Sequence, residues 1–551
     1  MEKFLEKLGT TKNYLILANI FLGLFLVVLS NLNLIPLQLG DSVFLIILAF
    51  AFALYRPGWA FLIFVGVIGF ETINLASETL PFALRPYQIM GTLVILALVI
   101  RKISRRMNME LIKMRWFDLT VGVFVLASFL SAFFSADRNS SLKLSLILVT
   151  FAAFYLLARN YLQSKEDIRK IIPFLLGSAG VIVIYGIWQN WRFLHGSASF
   201  EVMLGRPNSV FPEADWLGIY LVLIVSFTYS IIFYLKQETS ENGEEKFKVQ
   251  SSKLKITVLS QRLIRLWRKN SKLFLSYLFL ILVFVALILT VSRSAWLGAF
   301  FATIIFFWAV FTDFKFGTWE LKKTVWVKLE VFVAILIALG IAYSVPLTNF
   351  DLLGRAQSTG TGLQKITISC IEDPSKIGFP EMINDISVLA QVGCKHINLE
   401  DIEKEKLIGH FIGEINRRDP NVATRSEIYR KSFGEIKKHP ILGIGWGSIG
   451  RVFGLDERGA ALNSSNIFLE TWLGAGIIGV LAFLALWFFV VMRNIWNFTN
   501  ARDNLSRSIS LFFILSWFAL TVSNLFNAGL FLGFLWLWLG AAFTEEKKGK
   551  A

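Results

Sequence analysis

The sequence predicts an all-α polytopic membrane protein with about 14 (12–14) transmembrane helices and one large extracytoplasmic loop domain between late helices. Hydrophobic residues make up 55% of the 551-residue chain, which holds 52 Phe and 17 Trp. Soluble domains are much less apolar. The apolar residues also fall into blocks of roughly 18–22, which is the length of a helix that crosses a bilayer.

Fourteen apolar blocks are predicted to be spans. In chain order they are residues 14–30, 36–54, 59–73, 87–100, 117–134, 142–160, 170–191, 214–235, 273–291, 295–312, 325–346, 466–492, 508–524 and 527–542. The third and fourth blocks are short for a span, which is typical of tilted or re-entrant segments.

The basic residues predict the orientation of the chain. They cluster in both tails and in every second connection between spans, as the positive-inside rule requires of cytoplasmic segments. The net charge of +16 therefore indicates a rim that faces anionic membrane lipid, and no nucleic-acid partner. Both termini are predicted to be cytoplasmic, in a multi-pass protein of the cytoplasmic (inner) membrane. The loop 347–465, with 15 basic and 15 acidic residues, is predicted to be extracytoplasmic.

Three regions follow from this topology. Residues 1–346 are predicted to form a bundle of helices 1–11, residues 347–465 the loop domain, and residues 466–551 helices 12–14. The first region contains the cytoplasmic linker 236–272. The linker begins with a polar stretch, and this stretch is predicted to be disordered. Its end, ITVLSQRLIRLWRK, has the basic amphipathic pattern of a segment on the inner membrane surface.

The turn Ser292-Arg293-Ser294 lies inside a long apolar stretch. An arginine at the bilayer centre costs about 2.5–3.5 kcal/mol, and less at the interface. Arg293 is therefore either an interfacial residue that reaches lipid headgroups or an anion ligand at the outer mouth of the bundle.

The extracytoplasmic stretch GRPNSVFPEADWLG holds three more candidates. Gly205 and Pro207 predict a turn around Arg206. Glu213 and Asp215 begin the next span, where acidic residues commonly do no more than compensate the helix dipole.

The segment TRSE at 424–427 has a capping-box pattern, which predicts a helix that starts with Thr424 as its cap and runs to about Lys438. Arg425 then lies in the first turn, where a positive charge opposes the helix dipole. Because a helix N-terminus with an inward arginine is a good anion site, Arg425 is a candidate anion ligand.

The apolar face of this helix is predicted from helical spacing to consist of Tyr429, Phe433 and Ile436. The glycines of 443–450 do not indicate a nucleotide site, because no strand precedes them and no Lys-Ser/Thr follows. They predict a packed turn at the membrane face instead.

The polar cluster NSSN at 463–466 is predicted to cap the twelfth span. Ser465 and Asn466 are also candidates for substrate binding. Cys370 and Cys394 both lie in the extracytoplasmic loop, where a lone cysteine pair tends to be oxidised. A disulfide between them is favoured over two free thiols.

Several of these motifs, in this order, resemble the O-antigen ligase/polymerase superfamily. The motifs are Ser292-Arg293-Ser294, the Arg425–Tyr429 helix followed by HPILGIG, and Asn466-x-x-Leu469 before GIIG. Members of this superfamily have many transmembrane helices and one large external loop between late spans. The resemblance extends in ordered pieces over residues 205–479.

The resemblance implies a substrate and a reaction. A glycan on a polyprenyl-diphosphate carrier is transferred outside the membrane to an acceptor hydroxyl on a lipid core, a growing polysaccharide or a protein, without metal or cofactor. Arg293 and Arg425 match the family arginines taken to hold the donor diphosphate, and Arg206 matches a less constant one.

Two features depart from the family pattern. The family usually has a histidine, taken to be the general base, where this chain has Ser465, and residues 359–420 have no recognised counterpart. The extracytoplasmic candidates for the base are His396, His410, His439, Glu213 and Asp215. His396 is favoured, because a disulfide at Cys394 would hold it in place.

Three classes of function remain open. A lipid-linked oligosaccharide flippase or another transporter predicts charged residues along the spans. The spans have few such residues apart from Glu71, Arg159 and interfacial ones. A non-catalytic envelope assembly protein is compatible with the charge-neutral loop. The transferase is favoured, because the chain offers anion ligands and an external loop on the same side.

Overall fold

The computed structural model confirms an all-α polytopic membrane fold. It describes residues 8–77, 83–106, 111–196, 205–244, 256–315, 321–345, 347–348, 352, 363–372, 382–383, 386–397, 402–418, 420–454, 461–501 and 503–544. These residues form 18 α-helices and one four-stranded sheet.

Eleven helices precede the large loop. They are α1 (Leu8–Asn31), α2 (Leu39–Tyr55), α3 (Pro57–Gly66), α4 (Pro86–Ile103), α5 (Trp116–Phe133), α6 (Arg138–Tyr161), α7 (Lys165–Leu194), α8 (Ala214–Glu244), α9 (Ile256–Leu289), α10 (Arg293–Lys315) and α11 (Leu321–Ser344).

Seven helices and four strands follow. They are β1 (Leu363–Cys370), β2 (Met382–Ile383), α12 (Ser387–Ala390), β3 (Cys394–His396), α13 (Ile402–Leu407), β4 (Phe411–Arg418), α14 (Pro420–Lys438), α15 (Trp446–Phe453), α16 (Ile467–Asn500), α17 (Asn504–Asn524) and α18 (Gly533–Ala542).

Each of the fourteen predicted spans coincides with an apolar helix. Among the described residues, eleven of these helices are long and apolar enough to cross a membrane, and α2, α3 and α18 are shorter. The number of membrane crossings therefore remains a prediction.

The linker 236–272 is more helical than expected. Helix α8 continues to Glu244 and α9 begins at Ile256, so the predicted ends of both helices are wrong. The basic amphipathic segment continues into the span without a break. The polar stretch 245–255, expected to be disordered, lies outside the described residues.

The last predicted span, 527–542, is wrong in its extent. Helix α18 has ten residues, all of them buried, and at 1.5 Å per residue it is about 15 Å long, half of a bilayer core. A short 3-10 turn at Gly529–Phe531 precedes it. Irregular backbone at membrane depth is tolerated where protein surrounds it, and here Gly529 and Leu530 are both buried.

The two charged residues predicted within the spans lie at the two ends of α18. The Glu71 carboxylate accepts a hydrogen bond from the Gly533 backbone N–H at 2.8 Å, and Arg159 donates to the Phe543 carbonyl at 2.7 Å. Each charge has the sign that the helix dipole favours at its end. Both residues therefore stabilise the ends of a buried helix.

The large loop contains a small α/β unit that the all-α prediction did not include. Its strand order is β2-β4-β1-β3, with β1 antiparallel to β3 and β4. It has a core of its own, separate from that of the bundle, around Ile366, Ile368 and Ile415. A disulfide joins Cys370 of β1 to Cys394 of β3.

Helix α14 starts earlier than predicted. It begins at Pro420, so Thr424 lies inside the helix and the predicted cap is wrong. Proline is common in the first turn because its missing N–H has no helical acceptor there.

The buried face of α14 also differs from the prediction. Ile428, Ser432 and Ile436 are buried, whereas Phe433 is 51% exposed. These buried residues are four apart and therefore lie on one face of the helix. This face is rotated relative to the predicted apolar face.

The glycine-rich turn after α14 packs into a break in α16. Gly476 has φ 67° and ψ −171°, which interrupts the helix. Ile477 donates to the Pro440 and Ile441 carbonyls, and Ile444 donates to the Leu473 carbonyl. The two segments that resemble the family's glycine motifs therefore hydrogen-bond to each other.

Replacing Gly476 with alanine is expected to destabilise the protein. The backbone conformation is nearly restricted to glycine and costs of order 1–3 kcal/mol for other residues. An added Cβ would lie 2.0 Å from the Ile441 carbonyl oxygen. We expect a lower midpoint of thermal unfolding in detergent for Gly476→Ala.

Gly434→Ala is the matched control, because a Cβ on Gly434 of α14 has nothing within 4 Å. Alanine there favours helix and should leave the midpoint unchanged or raise it. Equal midpoints for Gly476→Ala and the wild type would contradict the packing described here.

Candidate functional site

Four helices and one turn meet at one end of the bundle. Helices α8, α10 and α16 all begin there, and the first third of α14 lies over them. The turn Leu525–Asn527, between α17 and α18, lies among them and contacts α10, α14 and the start of α16. Helix N-termini carry a partial positive charge, so their convergence favours an anion.

Arg206 connects the starts of α8 and α10. Its Nε donates to the Thr290 carbonyl at 2.8 Å, and a terminal nitrogen lies 3.1 Å from the Asp215 carboxylate. The Ser292 hydroxyl donates to the same carboxylate. Arg206 is 5% exposed, so it is held in place from several sides.

The Ser292-Arg293-Ser294 turn packs closely on α8 because Gly218 has no side chain. A Cβ on Gly218 would lie 2.7 Å from the Ala295 Cβ and 3.2 Å from the Ser292 Cβ. On the other side of the turn, Asn527 donates to the Ser294 hydroxyl at 2.8 Å. Arg293, the first residue of α10, is half-buried at this junction.

Arg425 and Tyr429 connect α14 to the Leu525–Asn527 turn. The Arg425 guanidinium lies 5.7 Å from the centroid of the Phe526 ring, within the range of a cation–π contact. The Tyr429 hydroxyl donates to the Leu525 carbonyl at 3.0 Å. Burial raises the pKa of the Tyr429 phenol, which therefore stays neutral and acts as a hydrogen-bond donor.

Asn466 caps α16 and also binds the turn. Its side-chain oxygen accepts from the Phe468 and Leu469 N–H groups, and its amide donates to the Leu525 carbonyl at 3.1 Å. Ser465, just before it, has φ 50°.

Backbone strain accompanies the candidate residues. Val291 precedes Ser292-Arg293 with φ 53°, a rare value for a β-branched residue. Ser465 has a similar φ beside Asn466. Such strain persists only where the surrounding structure enforces it, and it concentrates at functional sites.

The charges at the site are predominantly positive. Arg206, Arg293 and Arg425 gather near Asp215, whose carboxylate is stabilised by Arg206 and, more weakly, by Arg425. Glu213 immediately precedes α8, where its carbonyl accepts from the Trp216 and Leu217 N–H groups. The structure thus brings together seven of the site residues predicted from the sequence: Arg206, Arg293, Arg425, Ser465, Asn466, Glu213 and Asp215.

An apolar groove of about 570 Å³ begins one turn from Arg293. Its α10 wall runs from Trp296 to Phe307, opposite Phe332 and Tyr343 of α11. Phe307 is 11 residues beyond Trp296, so the groove follows the helix for about 17 Å. It can hold a long apolar chain whose polar end reaches the arginines.

The predicted base His439 does not join this site. It lies just past the end of α14, 14 residues from Arg425, which is about 21 Å along the helix. Its side chain is exposed.

The loop histidines lie at the far end of the small sheet. Strand β4 enters α14 through Arg418, and its other end, Phe411, is about 23 Å away. Phe411 pairs with Cys370, which pairs with Cys394. His410 precedes Phe411 and His396 follows Cys394 by two residues, so both lie towards this far end.

His410 belongs to a separate polar cluster. Its Nδ1 lies 2.7 Å from a Glu405 oxygen, and the Ser369 hydroxyl donates to that same oxygen at 2.7 Å. Lys395 lies 2.8 Å from the other oxygen. Hydrogen bonds from Lys395, His410 and Ser369 lower the pKa of Glu405 to about 2. Partial burial and Arg417 lower the pKa of His396.

Sequence reasoning missed the Leu525–Asn527 turn. The segment was predicted to be a short connection between spans, yet it supplies acceptors to Tyr429 and Asn466 and a donor to Ser294. Its signal was the pair Asn524 and Asn527 within an otherwise apolar stretch. Among the described residues, no group of three or more His, Cys, Asp or Glu side chains could hold a metal ion.

Fold and site together define a polytopic helical membrane protein with a cationic cluster at one end of its bundle. Residues 278–484 match the family model of the O-antigen ligase. This match confirms the resemblance to the O-antigen ligase/polymerase superfamily. No curated protein matches the chain.

The matched region includes only part of the candidate site. Arg293, Arg425 and Asn466 lie within it, whereas Arg206 and Asp215 precede it. The contacts of Arg206 with Thr290 and Asp215 nevertheless join the two parts.

We expect alanine at His396, His410 or His439 to leave catalytic turnover within about threefold of the wild type. A general base contributes about 10²–10⁴-fold and must reach the proton that it removes, and these three side chains are remote from the arginines. The measurement is glycan transfer by each purified variant at equal folded concentration. A loss of a hundredfold or more in any of them would identify that histidine as part of the site.

Proposed function

We propose that this protein transfers a glycan from a polyprenyl-diphosphate carrier to an acceptor hydroxyl outside the cytoplasmic membrane. The observation that carries the proposal is the apolar groove along α10, whose nearest α10 residue, Trp296, lies about one helical turn from Arg293. A polyprenyl chain is long and apolar, and its diphosphate is an anion. The groove and the arginines match the two ends of such a donor.

Arg293 and Arg425 are proposed to bind the diphosphate. Guanidinium groups bind phosphate oxygens in bidentate geometry, and each charge-assisted hydrogen bond is worth about 1.5–3 kcal/mol. The starts of α8, α10 and α16 add their partial positive charges. Arg206 is already bonded to Thr290 and Asp215, so its proposed role is to hold the site together while contributing charge.

The arginines stabilise the leaving group of the proposed reaction. The acceptor oxygen attacks the anomeric carbon, the bond from that carbon to the diphosphate oxygen breaks, and the polyprenyl diphosphate departs with the bonding electrons. Charge develops on the diphosphate as the bond breaks, so cations fixed beforehand lower the barrier. The acceptor proton must pass to a base.

Asp215 is the proposed base, with Glu213 as the alternative. Among the five predicted candidates, these two lie beside the arginines. Nearby cations keep a carboxylate ionised but make it weakly basic. The proposed transfer therefore uses this weak base late in the reaction, when the leaving diphosphate carries most of the charge.

The proposed orientation places this site outside the cytoplasmic membrane. It rests on the basic residues of alternate connections. The small sheet unit within 347–465 would then be extracytoplasmic, as expected for a disulfide-bonded unit. The acceptor would approach from that side, and its identity as lipid core, polysaccharide or protein is set by surfaces beyond the arginines.

The transporter alternative has less support. Glu71 and Arg159, the charged residues predicted within spans, serve α18 instead of lining a path. A non-catalytic assembly role does not account for the apolar groove or for the arginine cluster.

Arg293→Lys and Arg425→Lys are each expected to reduce turnover at least tenfold. Lysine keeps the charge but loses the bidentate geometry, and the loss of one strong contact of about 1.5–3 kcal/mol corresponds to a factor of ten or more. The measurement is the release of polyprenyl diphosphate from a purified lipid-linked glycan donor with an acceptor present.

Arg430→Lys is the matched control, because Arg430 is an exposed arginine on the same helix as Arg425. It should retain wild-type turnover. If the wild-type protein moves the donor across a vesicle membrane without releasing the diphosphate, the transferase proposal is wrong and transport takes its place.

Asp215→Asn is expected to reduce transfer by a hundredfold or more while donor binding changes only a few-fold. The amide keeps the size of the carboxylate and one acceptor oxygen but cannot accept a proton as a base does. Transfer and donor affinity are measured separately, with Glu213→Gln in parallel. Equal losses of binding and transfer would make Asp215 a positioning residue for Arg206.

A further inference from the structure

A second groove, of about 550 Å³, lies at the end of the bundle opposite the arginines. Its α8 wall runs from Phe227 to Leu235, whereas Asp215 is in the first turn of that helix. The separation along α8 is therefore about 18–30 Å. No residue of the candidate site lines this groove, and its function is not explained by the proposed transfer.

The walls of this groove are almost wholly apolar. They come from the first turns of α7 and α17, the second half of α8, and α9 near Phe279. Pro173 in α7 lies on the wall. Proline inside a helix lacks an N–H and clashes with the preceding turn, which bends the helix and makes room beside it.

A narrower apolar space continues from the groove into the bundle. It shares Ile168, Ile172 and Phe227 with the groove and reaches Trp538 of the buried helix α18. Its walls are hydrocarbon or aromatic, so this narrow space favours the end of an acyl chain over a polar group.

Two basic side chains mark the outer end of the groove. Arg169 and Lys272 both line it, on α7 and α9, and both are exposed. Arg169 lies 3.6 Å from Glu166, an exposed pair in which the guanidinium keeps N–H groups for another acceptor. The two cations thus lie where the headgroup of a lipid in the groove would be.

We infer that this groove binds one anionic diacyl phospholipid, with an acyl chain in the apolar slot and the phosphate between Arg169 and Lys272. The positive charge at the outer end of the groove favours a lipid with an anionic headgroup. The apolar space that continues from the groove towards Trp538 favours an acyl chain that reaches the interior of the bundle. The bound chain completes the packing around α7, α8 and α17. This inference does not depend on the proposed transfer reaction.

The test compares lipid retention by the purified, delipidated protein in native mass spectrometry. Phosphatidylglycerol and phosphatidylcholine with identical acyl chains are added separately. A basic residue near an anionic lipid contributes about 1 kcal/mol, which is about fivefold in affinity. We expect Arg169→Ala with Lys272→Ala to lower phosphatidylglycerol affinity roughly 20-fold and phosphatidylcholine affinity much less, because the choline cation offsets the charge of its phosphate.

Lys102→Ala with Lys322→Ala is the matched control, because it removes two exposed lysines that do not line the groove. It should leave phosphatidylglycerol binding within about twofold of the wild type. An equal loss in both double variants would overturn the inference, since the attraction would then belong to the whole surface.

Ile172→Trp fills the groove without changing any charge and is expected to reduce binding of both lipids. Unchanged phosphatidylglycerol binding in this variant would place the lipid elsewhere and overturn the inference. So would tighter wild-type binding of a polyprenyl phosphate than of phosphatidylglycerol, because the groove would then belong to a carrier lipid.

Discussion

The fold depends on the burial of a ten-residue helix, α18, whose first N–H group and whose following carbonyl are hydrogen-bonded by charged side chains. Helix ends leave N–H and C=O groups without partners, and in a membrane interior water cannot supply them. Glu71 accepts from the first N–H group of α18, and Arg159 donates to the carbonyl that follows it. Each charge is itself paired, Glu71 with Arg85 and Arg159 with Asp118, so neither is buried alone.

The position of the candidate site follows from this arrangement. Because α18 starts deep in the bundle, the chain after α17 must turn early, and that turn is Leu525–Asn527. Its carbonyls then face Tyr429 and Asn466. The turn that follows α14 hydrogen-bonds to α16 around Gly476, and these bonds fix the C-terminal end of α14. With α14 held at both ends, Arg425 stays over the starts of α8 and α10.

The sequence predicted the membrane fold and the clustering of three arginines, because both depend on local patterns: apolar block length and charges placed at span ends. It did not predict what depends on contacts distant in sequence. Glu71 and Arg159 looked like isolated charges, since their partner α18 lies more than 370 residues later. Thr424 fitted a capping box, yet Pro420 starts the helix one turn earlier. In the small sheet, β2 and β3 have two and three residues, too few for an alternating pattern. The longer strands β1 and β4 pair residues 41–55 apart in sequence, a contact that no local pattern shows.

Ser465, which stands where the resemblance implies a histidine, has a structural part in this chain. Ser465 has a left-handed backbone, its carbonyl accepts from Tyr429, and its neighbour Asn466 caps α16 and binds Leu525. The position is thus part of the frame that holds α14, α16 and the Leu525–Asn527 turn together. A serine keeps that frame but supplies no base. In the proposed transfer, the base lies across the arginine cluster, where Asp215 is held between Arg206 and Ser292. Cations beside a carboxylate make it a weak base, so in this proposal most of the rate acceleration comes from the arginines that stabilise the departing diphosphate.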